Sequence, residues 1–186
     1  MFLMWIVLGV LVFVLLAVIF IYNRLVSLKN QTLNGWQQID IQLKRRHDLI
    51  PNLVETVKGV MKFEQTTLTQ VIEARNKAIS AQGVAEKAVQ ENVLTGSLRQ
   101  LFALVENYPA LKSNENASRL QEELSSTENK ISFARQFYND IATQFNTAQQ
   151  TFPSNILAQT FGFKAADLFQ VTDAQDRQLP KVNLSL

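Results

Sequence analysis

The sequence contains no cysteine, and its 186 residues include a single histidine, His47. The absence of thiols excludes disulfides, thiolate zinc sites, iron–sulfur clusters and a cysteine nucleophile. The sequence also lacks an HExxH motif, an EF-hand loop and the glycine-rich loops that bind phosphate groups. These absences predict a protein that is not an enzyme and that has no cofactor, no metal site and no small-molecule substrate.

Glycine and proline are also scarce, and neither sign of charge is in large excess. The six Gly and four Pro argue against an all-β fold that is rich in turns. The 18 basic and 16 acidic side chains give a formal net charge of only +2, which is small for a protein that binds nucleic acid through its electrostatic field. We therefore expect no nucleic-acid partner.

An uninterrupted apolar run opens the sequence. Residues Met1 to Tyr22 carry no charged side chain, and the first charged side chain is Arg24. As a helix, these 22 residues span about 33 Å, which is enough to cross the hydrocarbon core of a bilayer. A buried helix is rarely apolar on every face, and a cleavable signal peptide needs a basic start and small residues at the cleavage site. The run therefore predicts an uncleaved single-pass membrane anchor over residues 1–22.

The basic residues near the anchor indicate its orientation. Arg24 and Lys29 follow the apolar run, and no basic side chain precedes it. The positive-inside rule therefore favours a cytoplasmic location for the rest of the chain. Two charges are a small bias, and the opposite orientation, with the bundle outside the cytoplasm, stays open.

Helical spacing dominates the sequence after the anchor. Between Asn116 and Gln150, apolar positions are separated alternately by four and three residues, a heptad spacing that is typical of helices packed as in a coiled coil. The segment from Val84 to Asn107 repeats the pattern, and Gly83 separates it from the helix before. The chain is therefore predicted to be all-α, with a single N-terminal transmembrane helix followed by an antiparallel bundle of three to four long helices.

One apolar stripe follows the first helix after the anchor. An unbroken helix from Asn23 to Gln82 is about 90 Å long, and the two later helices cover only about a third and a half of that length. Either the helix breaks at Pro51 and folds back, or it is kinked there and the stripe nearest the membrane packs against another protomer. We favour the kinked helix, which predicts a homo-oligomer. The stripe consists of Trp36, Ile39, Leu43, Ile50, Leu53, Val57 and Val60, continued by Leu68, Val71 and Ala78.

A second apolar strip follows Pro153 and is interrupted at Gly162. It predicts either a short helix that closes the end of the bundle or a docking strip for a partner, and the last dozen residues are predicted to form a polar tail. The predicted domains are the anchor over 1–22, the bundle over 23–152, and the short helix with its tail over 153–186. The candidate interface residues are Trp36, Ile39, Leu43, Phe161, Phe163 and Phe169.

A charged cluster, Lys44 to Asp48, interrupts the apolar stripe. The spacing from Leu43 and Ile50 places Arg46 or His47 on the inward side of the helix. We expect the His47 ring to be solvated or at an interface, and the carboxylates of the later helices, including Glu86, Glu91, Glu122 and Glu123, to be ordinary surface charges. We also predict a structural polar layer that fixes helix register, formed by Arg46, Asp48, Glu128, Arg135 and Asn139.

Several blocks of this sequence, in order and over nearly the whole chain, together form a known signature. The blocks are 34–40, 43–54, 73–75, 106–109 with 111–112, 120–124, 127–131, 134–140 and 152–155. They resemble the signature of the LemA family. The resemblance implies a protein of the bacterial inner membrane with a short N-terminus, one transmembrane helix, an antiparallel helical bundle and no established catalytic residues. At Phe63–Glu64 the sequence departs from similar proteins, which often have a histidine before the glutamate, so no metal role is expected there.

Some LemA-like proteins are associated with the formation of membrane-bounded organelles, which implies a membrane-organising role by analogy. Together with the anchor and the uncovered stripe, the resemblance predicts a membrane-anchored, non-catalytic scaffold. We expect it to self-associate through its bundle and to organise membrane or recruit proteins, including other membrane proteins. The alternative is a monomeric, membrane-tethered adaptor that binds one protein partner through its bundle or its C-terminal strip.

Overall fold

A computed structural model describes residues 1–61 and 64–170, and these ranges contain helices and no strand. The helices are α1 (Phe2–Lys58), α2 (Gln65–Ser80), α3 (Gly83–Val105), α4 (Pro109–Lys112), α5 (Glu115–Gln150) and α6 (Ser154–Thr160). The prediction of an all-α chain with a long apolar N-terminal helix and a helical bundle is confirmed. Phe63 and the predicted polar tail, which is the last dozen residues, lie outside the described residues.

The chain divides into two compact units. The first, which we call the anchor unit, comprises Met1–Lys44 and Glu128–Leu168. The second, which we call the middle unit for its place in the sequence, comprises the described residues of Arg45–Thr127 together with Phe169 and Gln170. The domain boundaries at 22 and 152 stay predictions.

Helix α1 does not end at Pro51. It continues through this proline to Lys58, and the chain leaves the helix at Gly59. The helix therefore neither breaks and folds back at Pro51 nor continues unbroken to Gln82, and both expectations were wrong. The residues that continue the apolar stripe, Leu68, Val71 and Ala78, belong to the separate helix α2.

The hydrophobic core of the middle unit brings together the end of α1 and four further helices. Helix α2 packs against α3, and Gly83 takes a positive φ of 74° where the chain reverses between them, a conformation that costs glycine little. Asn114 caps α5, because its side-chain oxygen accepts a hydrogen bond from the backbone N–H of Ala117 at 3.1 Å. The core residues are Ile50, Leu53, Val54, Val57, Met61, Leu68, Val71, Ala74, Ala78, Leu94, Leu98, Leu101, Val105, Leu111 and Leu124.

In the anchor unit, α1 and α5 lie in close contact. A Cβ atom added to Gly35 would lie only 3.4 Å from Cα of Tyr138, so the absence of a side chain here allows the two helices to approach. The rings of Trp36 and Tyr138 meet at 5.8 Å between centroids. The heptad positions Ile131, Tyr138, Ile141 and Phe145 are buried, as their spacing predicts.

The segment after α6 packs along the anchor unit. Gly162 has a positive φ of 66°, and the N–H of Phe163 donates to the carbonyl of Ala158 at 2.9 Å, which ends α6 in a Schellman-type turn. Asn146 then holds the backbone of Ala166 in both directions: its amide donates to the carbonyl at 2.9 Å, and its oxygen accepts from the N–H at 2.8 Å. The predicted short C-terminal helix is confirmed, and the segment that follows it is held by hydrogen bonds between its backbone and the Asn146 side chain.

The structure covers five of the six candidate interface residues and leaves Phe161 exposed. Ile39, Leu43 and Phe169 are buried within this chain, and Trp36 and Phe163 are partly buried. The ring of Phe163 lies 6.2 Å from that of Phe145 on α5. The expectation that the stripe nearest the membrane is uncovered was therefore wrong, because the chain itself buries it.

One described helix, α1, is long and apolar enough to cross a membrane, by length and composition. The large apolar side chains of residues 1–16, together with Ile19 and Phe20, are exposed in the isolated chain. This exposure agrees with a segment whose solvent is lipid rather than water, since a soluble protein rarely leaves so extended an apolar surface uncovered.

Candidate functional site

A charged cluster lies inside the middle unit, where α1 faces α3. Arg46 and Glu91 are both fully buried, and His47 is nearly so. The prediction that Arg46 or His47 faces inward is confirmed for both residues. The expectations of a solvated His47 ring and of a surface Glu91 were wrong.

Glu91 was missed although its spacing contains a signal. It stands three residues after Ala88 and three before Leu94, which are both buried on α3. A residue at that interval lies on the inward face of the helix whatever its chemistry. A carboxylate at an inward position needs a cationic partner, and the basic residues beside Leu43 supply it.

Each oxygen of the Glu91 carboxylate has its own donor. Nη2 of Arg46 forms an ion pair with Oε2, and Nε2 of His47 lies 2.8 Å from Oε1. Arg46 also donates from Nη2 to the backbone carbonyl of Glu91 at 3.2 Å and from Nη1 to the hydroxyl of Thr95 at 3.0 Å. We call Arg46, His47, Glu91 and Thr95 the buried ionic cluster.

The cluster keeps Glu91 ionised. Burial by itself would raise the pKa of Glu91, because the carboxylate loses its hydration inside the protein. The hydrogen bond from His47 and the positive charge of Arg46 outweigh burial, so the pKa of Glu91 lies below its ordinary value. An ionised carboxylate only accepts hydrogen bonds, and the proton between the two side chains therefore belongs to Nε2 of His47.

This arrangement is suited to holding helices rather than to chemistry on a substrate. Both carboxylate oxygens are engaged by groups of the same chain, and the described residues contain no group of three or more His, Asp or Glu side chains that could hold a metal ion. A buried pair of this kind disfavours any other register of α1 against α3, because a shift of one helical turn would leave a buried charge without its partner.

A second contact explains how α1 passes through Pro51. Proline has no backbone N–H, so it cannot donate to the carbonyl of His47 four residues earlier. Nε of Arg75, on α2, donates to that carbonyl at 2.6 Å instead. Arg75 therefore supplies the hydrogen bond that Pro51 removes, and it ties α2 to the same turn of α1 that carries the cluster.

The remaining residues of the predicted polar layer are distributed over both units. Asp48, in the middle unit, is exposed. In the anchor unit Arg135 is buried, and Glu128 and Asn139 are half-buried. Glu91 and Thr95, both on α3, are partners of Arg46, and a layer that joins Arg46 to Glu128 stays a prediction.

The cluster predicts a large difference between two neighbouring arginines. Replacing Arg46 with Met leaves the buried carboxylate without its guanidinium, and we expect a loss of about 3–5 kcal/mol in the free energy of unfolding. Urea unfolding of the full chain in mild detergent, followed by circular dichroism, measures this loss. Arg45→Met is the matched control, because the Arg45 side chain is half-exposed and lies 3.8 Å from Glu123, and such pairs contribute about 1 kcal/mol or less. Equal losses for both variants would contradict the assignment.

The lowered pKa of Glu91 predicts an acid-labile contribution to stability. Because the folded state lowers this pKa, the contribution is complete above the ordinary carboxyl range and is lost as the pH falls through the folded value. We expect Glu91→Gln to be less stable than the natural chain near neutral pH and to lose less stability on acidification. Unfolding at about pH 6 and about pH 3 tests this, with the exposed Glu73→Gln as control. Parallel pH profiles for all three proteins would rule it out.

The contact between Arg75 and the His47 carbonyl predicts coupling to Pro51. Arg75→Met leaves this carbonyl without its donor, at a cost of about 1–3 kcal/mol. In a Pro51→Ala background the new backbone N–H restores the helical hydrogen bond, and the same Arg75 substitution then costs less. A double-mutant cycle on unfolding free energies measures the difference. The same cost in both backgrounds would show that Arg75 does not compensate for the proline.

Comparison with known proteins places this chain in a family. The LemA protein of Metamycoplasma hominis is 27% identical over 157 residues, which are 82% of this chain and 70% of that protein. The magnetosome proteins MamQ 1 and MamQ 2 of Paramagnetospirillum magneticum are each 24% identical over 181 residues, and the match spans 83% of this chain but only 66% of theirs. The profile of the LemA family matches residues 35–184, which include α2 to α6, the buried ionic cluster and Arg75. This chain belongs to the LemA family.

Proposed function

We propose that this protein is a membrane-anchored, non-catalytic scaffold whose copies associate side by side through the anchor unit. The apolar part of α1 and membership of the LemA family support the membrane association. The full use of the buried ionic cluster in packing supports a structural role for the bundle.

The observation that carries self-association is an apolar groove on the anchor unit. It lies between α1 and α5, measures about 390 Å³ and is lined by Ile41, Phe133, Phe137, Lys130 and three smaller or polar side chains. Phe133 is 73% exposed and Ile41 is 64% exposed. Exposed aromatic and aliphatic side chains that cluster outside a membrane span are typical of protein interfaces.

A second copy of the chain is the occupant that fits this groove. Every copy crosses the membrane in the same orientation, so the same groove lies at the same distance from the bilayer in each copy. Ile41 is 19 residues beyond Tyr22 on α1, which places it about 28 Å along the helix. A two-fold contact between equivalent grooves needs no other partner, and confinement to one membrane raises the effective concentration of copies.

Assembled copies would organise the membrane in which they are anchored. The MamQ relatives are named magnetosome proteins, and at 24% identity this name suggests membrane organisation here by analogy only. The basic residues Arg24 and Lys29 after the apolar run favour a cytoplasmic bundle. Recruitment of other membrane proteins by the assembled scaffold is part of the same proposal.

The alternative, an adaptor that uses the C-terminal strip, has less support from the packing. Phe169 is buried, and Phe163 contacts the rings of Tyr22 and Phe145. Phe163 and Phe169 are therefore used within the chain, whereas Phe161 is exposed. An adaptor that binds a different protein through the groove of Ile41 and Phe133 is the remaining form of this alternative.

The test is the mass of the full chain in mild detergent and in lipid nanodiscs, with and without two groove substitutions. We expect a defined oligomer for the natural chain and a shift to monomer for Ile41→Ser combined with Phe133→Ser, because both side chains are exposed and their loss removes interface rather than core. Val93→Ser is the control, since Val93 is also exposed but lies on α3. A natural chain that is monomeric in both media would overturn the scaffold and leave the adaptor.

A further inference from the structure

The turn between α5 and α6 exposes large apolar side chains. Phe152 is 76% exposed, Ile156 is 55% exposed and Phe161 is 54% exposed. All three belong to the anchor unit, and the hydrogen bonds of Ser154 to the carbonyls of Ala148 and Thr151, at 2.6 and 2.8 Å, hold the turn in place. A fixed apolar surface in this position needs a medium or partner that covers it.

This turn lies beside the end of the apolar run of α1. A cavity of about 330 Å³ is lined by Phe20, Ile21 and Arg24 on one side and by Thr151 and Phe152 on the other. The ring of Phe161 lies 4.7 Å from the ring of Tyr22, the last residue of the run. Tyrosine at the end of a membrane span is typical of the membrane–water interface. The ring of Phe161 therefore lies level with the end of the apolar run.

The charges around the turn are of one sign. Residues 1–39 and 141–166 contain no Asp or Glu, and their charged side chains are Arg24, Lys29 and Lys164. Nζ of Lys29 lies 6.0 Å from the centre of the Phe163 ring, between the helix and the segment that follows α6. Lysine and arginine beside exposed aromatic side chains are typical of surfaces that bind anionic lipid headgroups.

We propose that the α5–α6 turn is a second membrane contact, in which Phe152, Ile156 and Phe161 insert into the lipid interface next to the transmembrane part of α1. The contact seats the anchor unit on the bilayer, so that the base of the bundle is held at two points instead of one. This inference rests on the membrane anchoring in the proposed function and is independent of self-association.

A lipid surface is favoured over a second copy of the chain, because the exposed side chains of the turn are continuous with the apolar run of α1. The exposed side chains adjoin Phe20, Ile21 and Tyr22, whose own neighbours along α1 belong to the span. A protein partner at this place would have to displace lipid from the same surface. The cationic side chains would also repel their equivalents on a second copy that approached through the same face.

The absence of native cysteine makes a direct depth measurement possible. We would introduce single cysteines at exposed positions of the full chain, Phe152→Cys and Ile156→Cys, and attach a nitroxide to each. The proteins are reconstituted in phosphatidylcholine vesicles that contain a minority of phosphatidylglycerol. Collision of the nitroxide with oxygen, which partitions into lipid, is compared with collision with a water-soluble nickel chelate.

Two control positions separate this inference from the anchor itself. The control substitutions are Val12→Cys and Leu33→Cys. Val12 lies within the apolar run, and Leu33 lies on α1 and is 51% exposed, close to the exposure of Ile156. We expect the oxygen-to-nickel collision ratio to be several-fold higher at 12, 152 and 156 than at 33. Circular dichroism of each variant checks that the helices are retained.

Each other outcome has a definite meaning. A high ratio at 12 with ratios at 152 and 156 equal to that at 33 overturns the second contact and leaves the anchor intact. A low ratio at all four positions contradicts the membrane anchor. Low collision rates with both reagents at 152 and 156, relieved by dilution in lipid, overturn the inference in favour of contact with a second copy.

Discussion

The packing of the middle unit depends on one constraint: the negative charge of a buried carboxylate needs a cation and hydrogen-bond donors beside it. Glu91 occupies an inward position of α3, and an unpaired charge there would cost more than the rest of a small core could offset. Arg46 and His47, adjacent on α1, engage one carboxylate oxygen each. The cluster therefore accepts one register of α1 against α3, whereas the surrounding Leu and Val side chains would accept several. Charge decides the alignment and apolar burial supplies most of the stability.

The same turn of α1 also contains a hydrogen bond that replaces the one lost at Pro51. Pro51 would be expected to interrupt a long helix, yet α1 continues, because the carbonyl that proline leaves without its usual donor receives one from Arg75. Arg46, His47 and Pro51 thus belong to one stretch in which three helices meet, with α2 bound through a backbone carbonyl and α3 through a carboxylate. Continuity of α1 in this chain is a property of its packing and not of its local sequence alone.

Two groups of exposed apolar side chains in the anchor unit lie outside the apolar run. One lies in the groove between α1 and α5, and the other lies at the α5–α6 turn beside Tyr22. We assign the groove to a second copy and the turn to lipid, because the groove lies well beyond the end of the apolar run whereas the turn adjoins it. In the scaffold that we propose, the turn orients each copy on the bilayer and the groove joins the copies.

The sequence by itself determined the fold class, the apolar run, the heptad positions on α3 and α5, and the inward orientation of Arg46 and His47, because each follows from spacing along one helix. Only the tertiary structure decided which residues meet. Glu91 is the partner of Arg46, and Arg75 donates a hydrogen bond to the His47 carbonyl that Pro51 leaves without a donor. Ile39, Leu43 and Phe169 are buried within the same chain. Periodicity fixes the face on which a side chain lies, but it contains no information on the neighbour that covers that face. That choice depends on helix ends, on turns such as the one at Gly59, and on charge pairs between residues more than forty positions apart.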